Sequence, residues 1–193
     1  MSNTLANGSL AQTFIAREWA NKTAGFLVMA VLGSLLLTIA SKIQVPFFPV
    51  PMTLQTLAVF AIGAAYGRNL AVATVLLYLA QGFAGLPVFA GAAAGPAYFI
   101  GGTGGYLAGF VVAAFIIGTA ADKGWSKSAI KMGGVILAAD VVIFMLGFAW
   151  LSTLIGAEKA FTFGVVPFVL GDLVKIAIAA LAVSAVWKVW KRA

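Results

Sequence analysis

The chain of 193 residues contains no cysteine, no histidine and only 5 acidic residues. Without cysteine it has no disulfides and no thiolate chemistry, and without histidine it lacks the imidazole base and the commonest metal ligand. We therefore expect no metal site, no cofactor and no catalytic residue. Charged side chains make up 9% of the sequence, against roughly 25% in soluble domains. So few charges cannot cover the surface of a water-soluble globule.

Apolar side chains are abundant instead and account for 63% of the residues. This composition excludes both a soluble domain and a disordered chain. A membrane helix needs about 20 residues to cross the hydrocarbon core, so several spans would use most of this sequence. We predict an all-α integral membrane protein with six transmembrane helices and short loops. The predicted spans are residues 24–41, 54–66, 70–82, 103–121, 132–154 and 165–187.

Three segments follow from this division: an N-terminal segment (1–23), the membrane domain (24–187) and a basic tail (188–193). The N-terminal segment is polar and has no signal-peptide core, so the first span is expected to remain in the membrane. Three prolines within residues 46–51 interrupt the helical pattern after that span. Residues 86–102 form a loop without charges, and an uncharged loop of this length is seldom only a linker.

The basic residues predict the orientation, because cytoplasmic loops hold most of the lysine and arginine. Six spans leave only Lys42 and Lys159 on the outer side, and Lys175 inside a span. Both termini are therefore expected in the cytoplasm, and the chain is expected to be a multi-pass protein of the cell membrane. The net charge of +7 then reflects topology, and nucleic-acid binding is not expected. The basic residues assigned to the cytoplasmic side are Arg17, Lys22, Arg68, Lys123, Lys127, Lys131, Lys188, Lys191 and Arg192.

Ionisable residues within membrane spans are expensive, so they are candidates for function. Asp172 and Lys175 are three residues apart and share one helix face. They could form a purely structural ion pair, or a polar site open to the outside that binds an anionic ligand with N–H donors. Asp140 has no basic neighbour in the sequence, and for it we favour a structural hydrogen bond to an adjacent helix.

Five more residues are weaker candidates. Gln55 and Gln81 lie near the outer ends of their spans, where an amide suits a neutral polar ligand, although helix capping explains each equally well. Tyr98, in the uncharged loop, is a candidate aromatic wall. Ala30 and Ser34 form a small-residue face on the first span that could dock another helix, and generic packing explains this face equally well.

An enzyme fits these residues poorly. A serine protease needs a base, and aspartyl chemistry would have to pair Asp140 with Asp172, which Lys175 would hold ionised. The glycines at 101–105 are not followed by Gly-Lys-Ser/Thr, so the chain carries no ATP site of this kind. An ion channel would have to oligomerise to line a pore. Capture of a small ligand fits best.

Four segments, in the same order along the chain, resemble the motifs of the BioY family of biotin transporters. Together they cover much of the region between residues 45 and 176, so the resemblance reaches far beyond shared hydrophobicity. The segments are 49–59 (PVPMTLQTLAV), 77–79 (LYL) with 85–91 (GLPVFAG), 102–107 (GTGGYL) and 167–175 (PFVLGDLVK).

This resemblance implies a six-helix substrate-binding S component of an energy-coupling-factor (ECF) transporter, with biotin as its ligand in an outward-facing pocket. It implies that Asp172 and Lys175 are the polar biotin contacts, and that ATPase subunits and a transmembrane coupling subunit are partners. Family members commonly dock through Ala-x-x-x-Ala on the first helix, for which the nearest match here is Ala30 to Ser34. Residue 102 is glycine where the family usually has proline, which loosens the loop. The alternatives are an S component for another vitamin and, less favoured, an intramembrane aspartyl-type enzyme.

Overall fold

The computed structural model describes residues 8–19 and 21–190. Parts of the predicted N-terminal segment (1–7 and 20) and of the basic tail (191–193) lie outside the described residues, and Lys191 and Arg192 with them. The described chain is helical, with a two-stranded antiparallel ribbon and a short 3₁₀ turn at Trp125–Lys127. The helices are α1 (Leu10–Glu18), α2 (Lys22–Lys42), α3 (Gln55–Tyr66), α4 (Arg68–Phe83), α5 (Pro96–Ile100), α6 (Gly104–Asp122), α7 (Ala129–Ile155), α8 (Ala157–Gly164) and α9 (Val166–Trp190), and the strands are β1 (Gln44–Val45) and β2 (Met52–Thr53).

Each predicted span coincides with one helix, and the ends differ by no more than three residues. Three helices (α2, α6 and α7) and the continuous run Ala157–Trp190 are long and apolar enough to cross a membrane. The predicted all-α membrane fold is thereby confirmed. Two further helices, α3 with 12 residues and α4 with 16, are shorter, and the count of six spans stays a prediction.

Glycines bring α6 and α7 close together. A Cβ atom on Gly105 of α6 would lie 2.3 Å from the backbone oxygen of Leu146, and one on Gly109 would lie 2.8 Å from the Cα atom of Ile143. Because these are contacts with backbone, a side chain at either position would push the helices apart. The four-residue spacing of small residues therefore serves close helix packing here.

The short helix α1 packs against the ends of three longer helices. Ser9 caps it and donates from Oγ to the backbone oxygen of Tyr66 (2.8 Å). Gln12 donates from Nε2 to Asp122 Oδ1 (3.0 Å), and Oδ2 of the same carboxylate accepts from the backbone N–H of Arg68 (3.1 Å). One acidic side chain thus connects α1, the α3–α4 turn and the end of α6.

Two irregular segments lie at the opposite end of the bundle. The ribbon pairs Gln44 with Thr53 and Val45 with Met52, and the proline-rich residues 46–51 form its tip. The second segment, residues 84–103, connects α4 to α6, contains α5 and buries the ring of Phe89 completely. The predicted helix break at the prolines is confirmed. These two segments cover the end of the bundle at which the candidate site is found.

Candidate ligand-binding site

A cavity of about 510 Å³ lies beneath the two irregular segments, between α3, α6, α7 and α9. That volume includes space open to solvent; the enclosed part is about 50 Å³. Apolar and aromatic side chains form most of the wall, and a few polar groups converge on one side. The aromatic residues are Tyr98, Tyr106, Phe110, Phe144 and Phe168, and the polar ones are Thr53, Gln55, Thr56, Thr103, Asp172 and Lys175.

The predicted pair on α9 lines this cavity. Asp172 and Lys175 are 2% and 7% exposed, and Lys175 Nζ lies 2.6 Å from Asp172 Oδ1. The sequence argument that the two residues share one helix face agrees with this geometry. Because each charge is buried, each depends on the other for compensation.

The ammonium group of Lys175 is fully coordinated by the protein. Besides Asp172, it donates to the backbone oxygen of Thr53 (2.8 Å) and to Thr56 Oγ1 (3.0 Å), so three acceptors surround its three N–H donors. Thr56 in turn donates from Oγ1 to Asp172 Oδ1 (3.0 Å). The carboxylate oxygen Oδ2 of Asp172 accepts no hydrogen bond from the described residues. The group best placed to accept from a ligand N–H is therefore this oxygen.

Sequence reasoning missed Thr56. The available signal was its place one residue after Gln55, in the first turn of an apolar helix and within the PVPMTLQTL segment. A threonine in a membrane helix usually bonds to its own backbone, so this signal is weak. Only the packing of α3 against α9 shows that the hydroxyl faces the ion pair.

Gln55 lines the cavity, and its amide is held by the protein; its contact with a ligand stays a prediction. Nε2 donates to the hydroxyl of Tyr78 (2.6 Å), and Oε1 accepts from Thr53 Oγ1 (3.0 Å). The Tyr78 hydroxyl donates in turn to the backbone oxygen of Val88 (3.0 Å). A chain of hydrogen bonds therefore runs from the Lys175 ammonium through Thr53 and Gln55 to the segment between α4 and α6.

Tyr98, predicted as an aromatic wall, lines the cavity from α5. Its ring stacks on Phe89 with 4.6 Å between centroids and an interplanar angle of 11°. Burial raises the pKa of the Tyr98 phenol above its usual value, so the hydroxyl stays protonated. Phe89, which does not line the cavity, thus supports the Tyr98 ring that does.

Three other predicted residues lie away from the cavity. Gln81 is not part of its lining, because its side chain faces α2 and accepts a hydrogen bond from Ser34 Oγ. Ser34 is 1% exposed, and Ala30 is 5% exposed in a buried cluster with Ala11 and Ile15 of α1. The predicted docking face is therefore covered in this structure, and its docking role stays a prediction.

Asp140 is buried on α7 beside an apolar groove formed with α8 and α9. Its Oδ1 atom has no hydrogen-bond partner among the described residues. The expected hydrogen bond from that atom to a neighbouring helix is thus not formed. An aspartyl mechanism would need a hydrogen bond between Asp140 and Asp172, and the two side chains form none. No group of three acidic residues suited to a metal ion occurs in the part of the chain that the structure describes.

The fold closely matches that of a solved membrane protein. The match has a TM-score of 0.78 at 24% sequence identity, and it covers 88% of this chain and 94% of the other. That protein is described as the S-component for biotin from an ECF-type ABC transporter. The likeness confirms the helical membrane architecture.

Sequence comparison gives the family. The chain is 38% identical over 156 residues to the biotin transporter BioY of Thermotoga maritima, which covers 80% of this chain and 91% of the relative. It is 37% identical over 146 residues to a probable biotin transporter BioY of Pyrococcus horikoshii, with 76% and 86% covered. The family model described as BioY family matches residues 11–192. The predicted resemblance is confirmed: the chain belongs to the BioY family.

Proposed function

We propose that the chain is the biotin-binding S component of an ECF transporter and takes up biotin with high affinity across the cell membrane. The observation that carries this proposal is the buried pair Asp172 and Lys175 at a cavity with aromatic walls. Membership of a family whose relatives are named biotin transporters supports it.

The chemistry of biotin fits the cavity. Biotin has a ureido group with two N–H donors, an apolar sulfur-containing ring and a carboxylate tail. We assign the ureido N–H to Asp172 Oδ2, since that oxygen accepts no hydrogen bond from the described chain. Lys175 holds the carboxylate of Asp172 in place and compensates its charge. The aromatic side chains pack on the ring, and Gln55 and Tyr98 complete the wall.

The topology proposed with this function has six spans, with both termini in the cytoplasm. Residues 24–187 form the membrane domain, and the segments 1–23 and 188–193 flank it on the inner side. The basic residues support this arrangement. Lys42 and Lys159 lie beside the two irregular segments, whereas Arg68 and Lys123 lie near Asp122 at the other end of the bundle. The cavity then opens outward, and biotin is delivered inward.

ATP hydrolysis would come from partners. We propose that ECF ATPase subunits and a transmembrane coupling subunit drive delivery, since the sequence shows no ATP-binding motif of its own. Docking through Ala30 and Ser34 requires a change at α1 and α4, because both residues are buried beneath these helices.

Binding of radiolabelled biotin to the purified chain tests the ligand, with thiamine and riboflavin as controls. Saturable binding of biotin alone is the expected result. Binding of another vitamin in its place would favour the alternative S component, and binding of none would contradict the proposal. Uptake by cells with and without an energy-coupling module then tests the partners, and uptake that depends on the module is expected.

A further inference from the structure

Lys42, the last residue of α2, has an unusual set of partners. Its Nζ atom donates to three backbone carbonyl oxygens of the segment between α4 and α6: Pro87 (2.6 Å), Phe89 (2.6 Å) and Gly91 (2.7 Å). An ammonium group has three N–H donors, and here all three are directed to one short stretch of backbone. The ammonium group of Lys42 therefore supplies these carbonyl oxygens with the donors that backbone N–H groups supply in a helix or sheet.

The neighbouring residues hold the same stretch. Tyr78 donates from its hydroxyl to the backbone oxygen of Val88 (3.0 Å), and Ser41 Oγ lies 2.7 Å both from that oxygen and from the backbone oxygen of Thr38, so its one proton serves either acceptor. The carbonyl groups of three consecutive residues, 87 to 89, are thus fixed from α2 and α4. The conformation of residues 87–91 depends on side chains outside the segment.

Two routes lead from this segment to the cavity. Phe89 is fully buried and stacks on Tyr98, which lines the cavity. Phe89 also meets Tyr78 edge to face, with 5.4 Å between ring centroids, and Tyr78 accepts a hydrogen bond from Gln55 of the cavity wall. A shift of residues 87–91 would therefore move both the aromatic and the amide part of the wall.

We propose that Lys42 is a positioning residue for the ligand site: its ammonium group holds residues 87–91 in the conformation that places Tyr98 and Gln55 at the cavity. It does not line the cavity itself. The inference rests on the proposed biotin-binding function and adds to it a residue outside the cavity that determines the affinity.

The test is Lys42→Met in the full chain, with biotin affinity and hydrogen exchange of residues 84–95 as paired measurements. We expect about tenfold weaker binding, mainly through faster dissociation, because three charge-assisted hydrogen bonds are lost. We also expect faster exchange of residues 84–95 without biotin. The matched control is Lys159→Met, which removes the other lysine of the predicted outer side and should leave both measurements unchanged.

Chemical rescue distinguishes positioning from a general folding defect. In Lys42→Ala the three carbonyl groups remain and the truncated side chain leaves room for the ion, so ammonium chloride should restore part of the affinity, while an equal concentration of sodium chloride should not. Lys42→Gln keeps two N–H donors and should bind with intermediate affinity; it also replaces Lys42→Met if that variant does not fold. Parent-like affinity in both variants would overturn the proposal, as would weaker binding without faster exchange of residues 84–95. The exchange measurement needs no ligand, so failure of the parent chain to bind biotin would refute the proposed function separately.

Discussion

At the scale of single residues, the site consists of two charges that the protein has already paired. Lys175 has three protein acceptors, whereas one oxygen of Asp172 accepts no hydrogen bond from the described residues. Removing one member of a buried pair leaves the other uncompensated, which costs more than the pair contributes. Substitutions at these positions are therefore expected to affect ligand affinity strongly.

Lys175→Met tests this arrangement with little change in side-chain length. We expect biotin affinity to fall by roughly 100-fold, because truncating one partner of a buried hydrogen-bonded pair costs about 2–5 kcal/mol. Isothermal titration calorimetry in detergent measures the effect. Lys159→Met, an exposed lysine, serves as the control for loss of positive charge. Unchanged affinity in Lys175→Met would rule out the assigned site.

Asp140 is a second buried carboxyl group with an unpartnered oxygen, but it does not line the cavity. Leucine has a similar size and needs no hydrogen bond, so Asp140→Leu should remove the cost of burying a polar group. We expect a higher melting temperature and unchanged biotin binding, measured by thermal unfolding in detergent and by radioligand binding. Asp140→Asn is the matched variant that keeps a polar group. A loss of binding in Asp140→Leu without a lower melting temperature would instead show that Asp140 contributes to ligand binding.

The site residues that could be predicted are those whose burial in a membrane helix is energetically unfavourable enough to stand out in the sequence. Placing a charged side chain within an apolar span has a large free-energy cost, so the sequence pattern alone pointed to Asp172 and Lys175. Hydroxyl and amide groups carry a smaller cost, and the rotation of each helix decides which way they face. Thr56 was missed for this reason, and Gln81 was placed near the ligand although it faces α2.

At the scale of elements, hydrophobicity located every long helix, because a membrane span must be both long and apolar. The short helices α1, α5 and α8, with 9, 5 and 8 residues, were not predicted. Helices of this length have little stability of their own and form through contacts with the rest of the fold. The contact of Gln12 with Asp122, 110 residues away in the sequence, is an example.

The close packing of α6 on α7 yields a prediction at this scale. Gly105→Ala would place Cβ 2.3 Å from the backbone oxygen of Leu146, so the helices must separate. Because both helices contribute residues to the cavity wall, we expect a lower melting temperature and weaker biotin binding. Gly134→Ala is the matched control, since a Cβ there meets nothing within 4 Å. That substitution should be neutral or stabilise α7 by about 0.5–1 kcal/mol. Equal melting temperatures for the two variants would contradict the packing argument.

At the scale of the whole molecule, the absence of cysteine makes the proposed orientation easy to test. Single cysteines can be introduced at exposed lysines without any background thiol. We expect Lys159→Cys to react with a membrane-impermeant maleimide on intact cells, and Lys123→Cys to react only after the membrane is opened, because basic residues concentrate in the cytoplasm. Labelling of both cysteines in intact cells would contradict six spans with cytoplasmic termini.

The two irregular segments over the cavity also bear on how such a protein changes during evolution. Non-helical backbone is tolerated at membrane depth only where it is buried in protein or lines a water-filled cavity, and here it borders the cavity. Val50, Pro51, Thr53 and Tyr98 line the cavity from these segments, whereas Asp172 and Lys175 line it from a long helix. Mutations in the segments can alter the shape of the site without repacking the bundle. We therefore expect a new ligand preference to arise first in the segments around the prolines and α5, while the helices of the bundle are inherited almost unchanged.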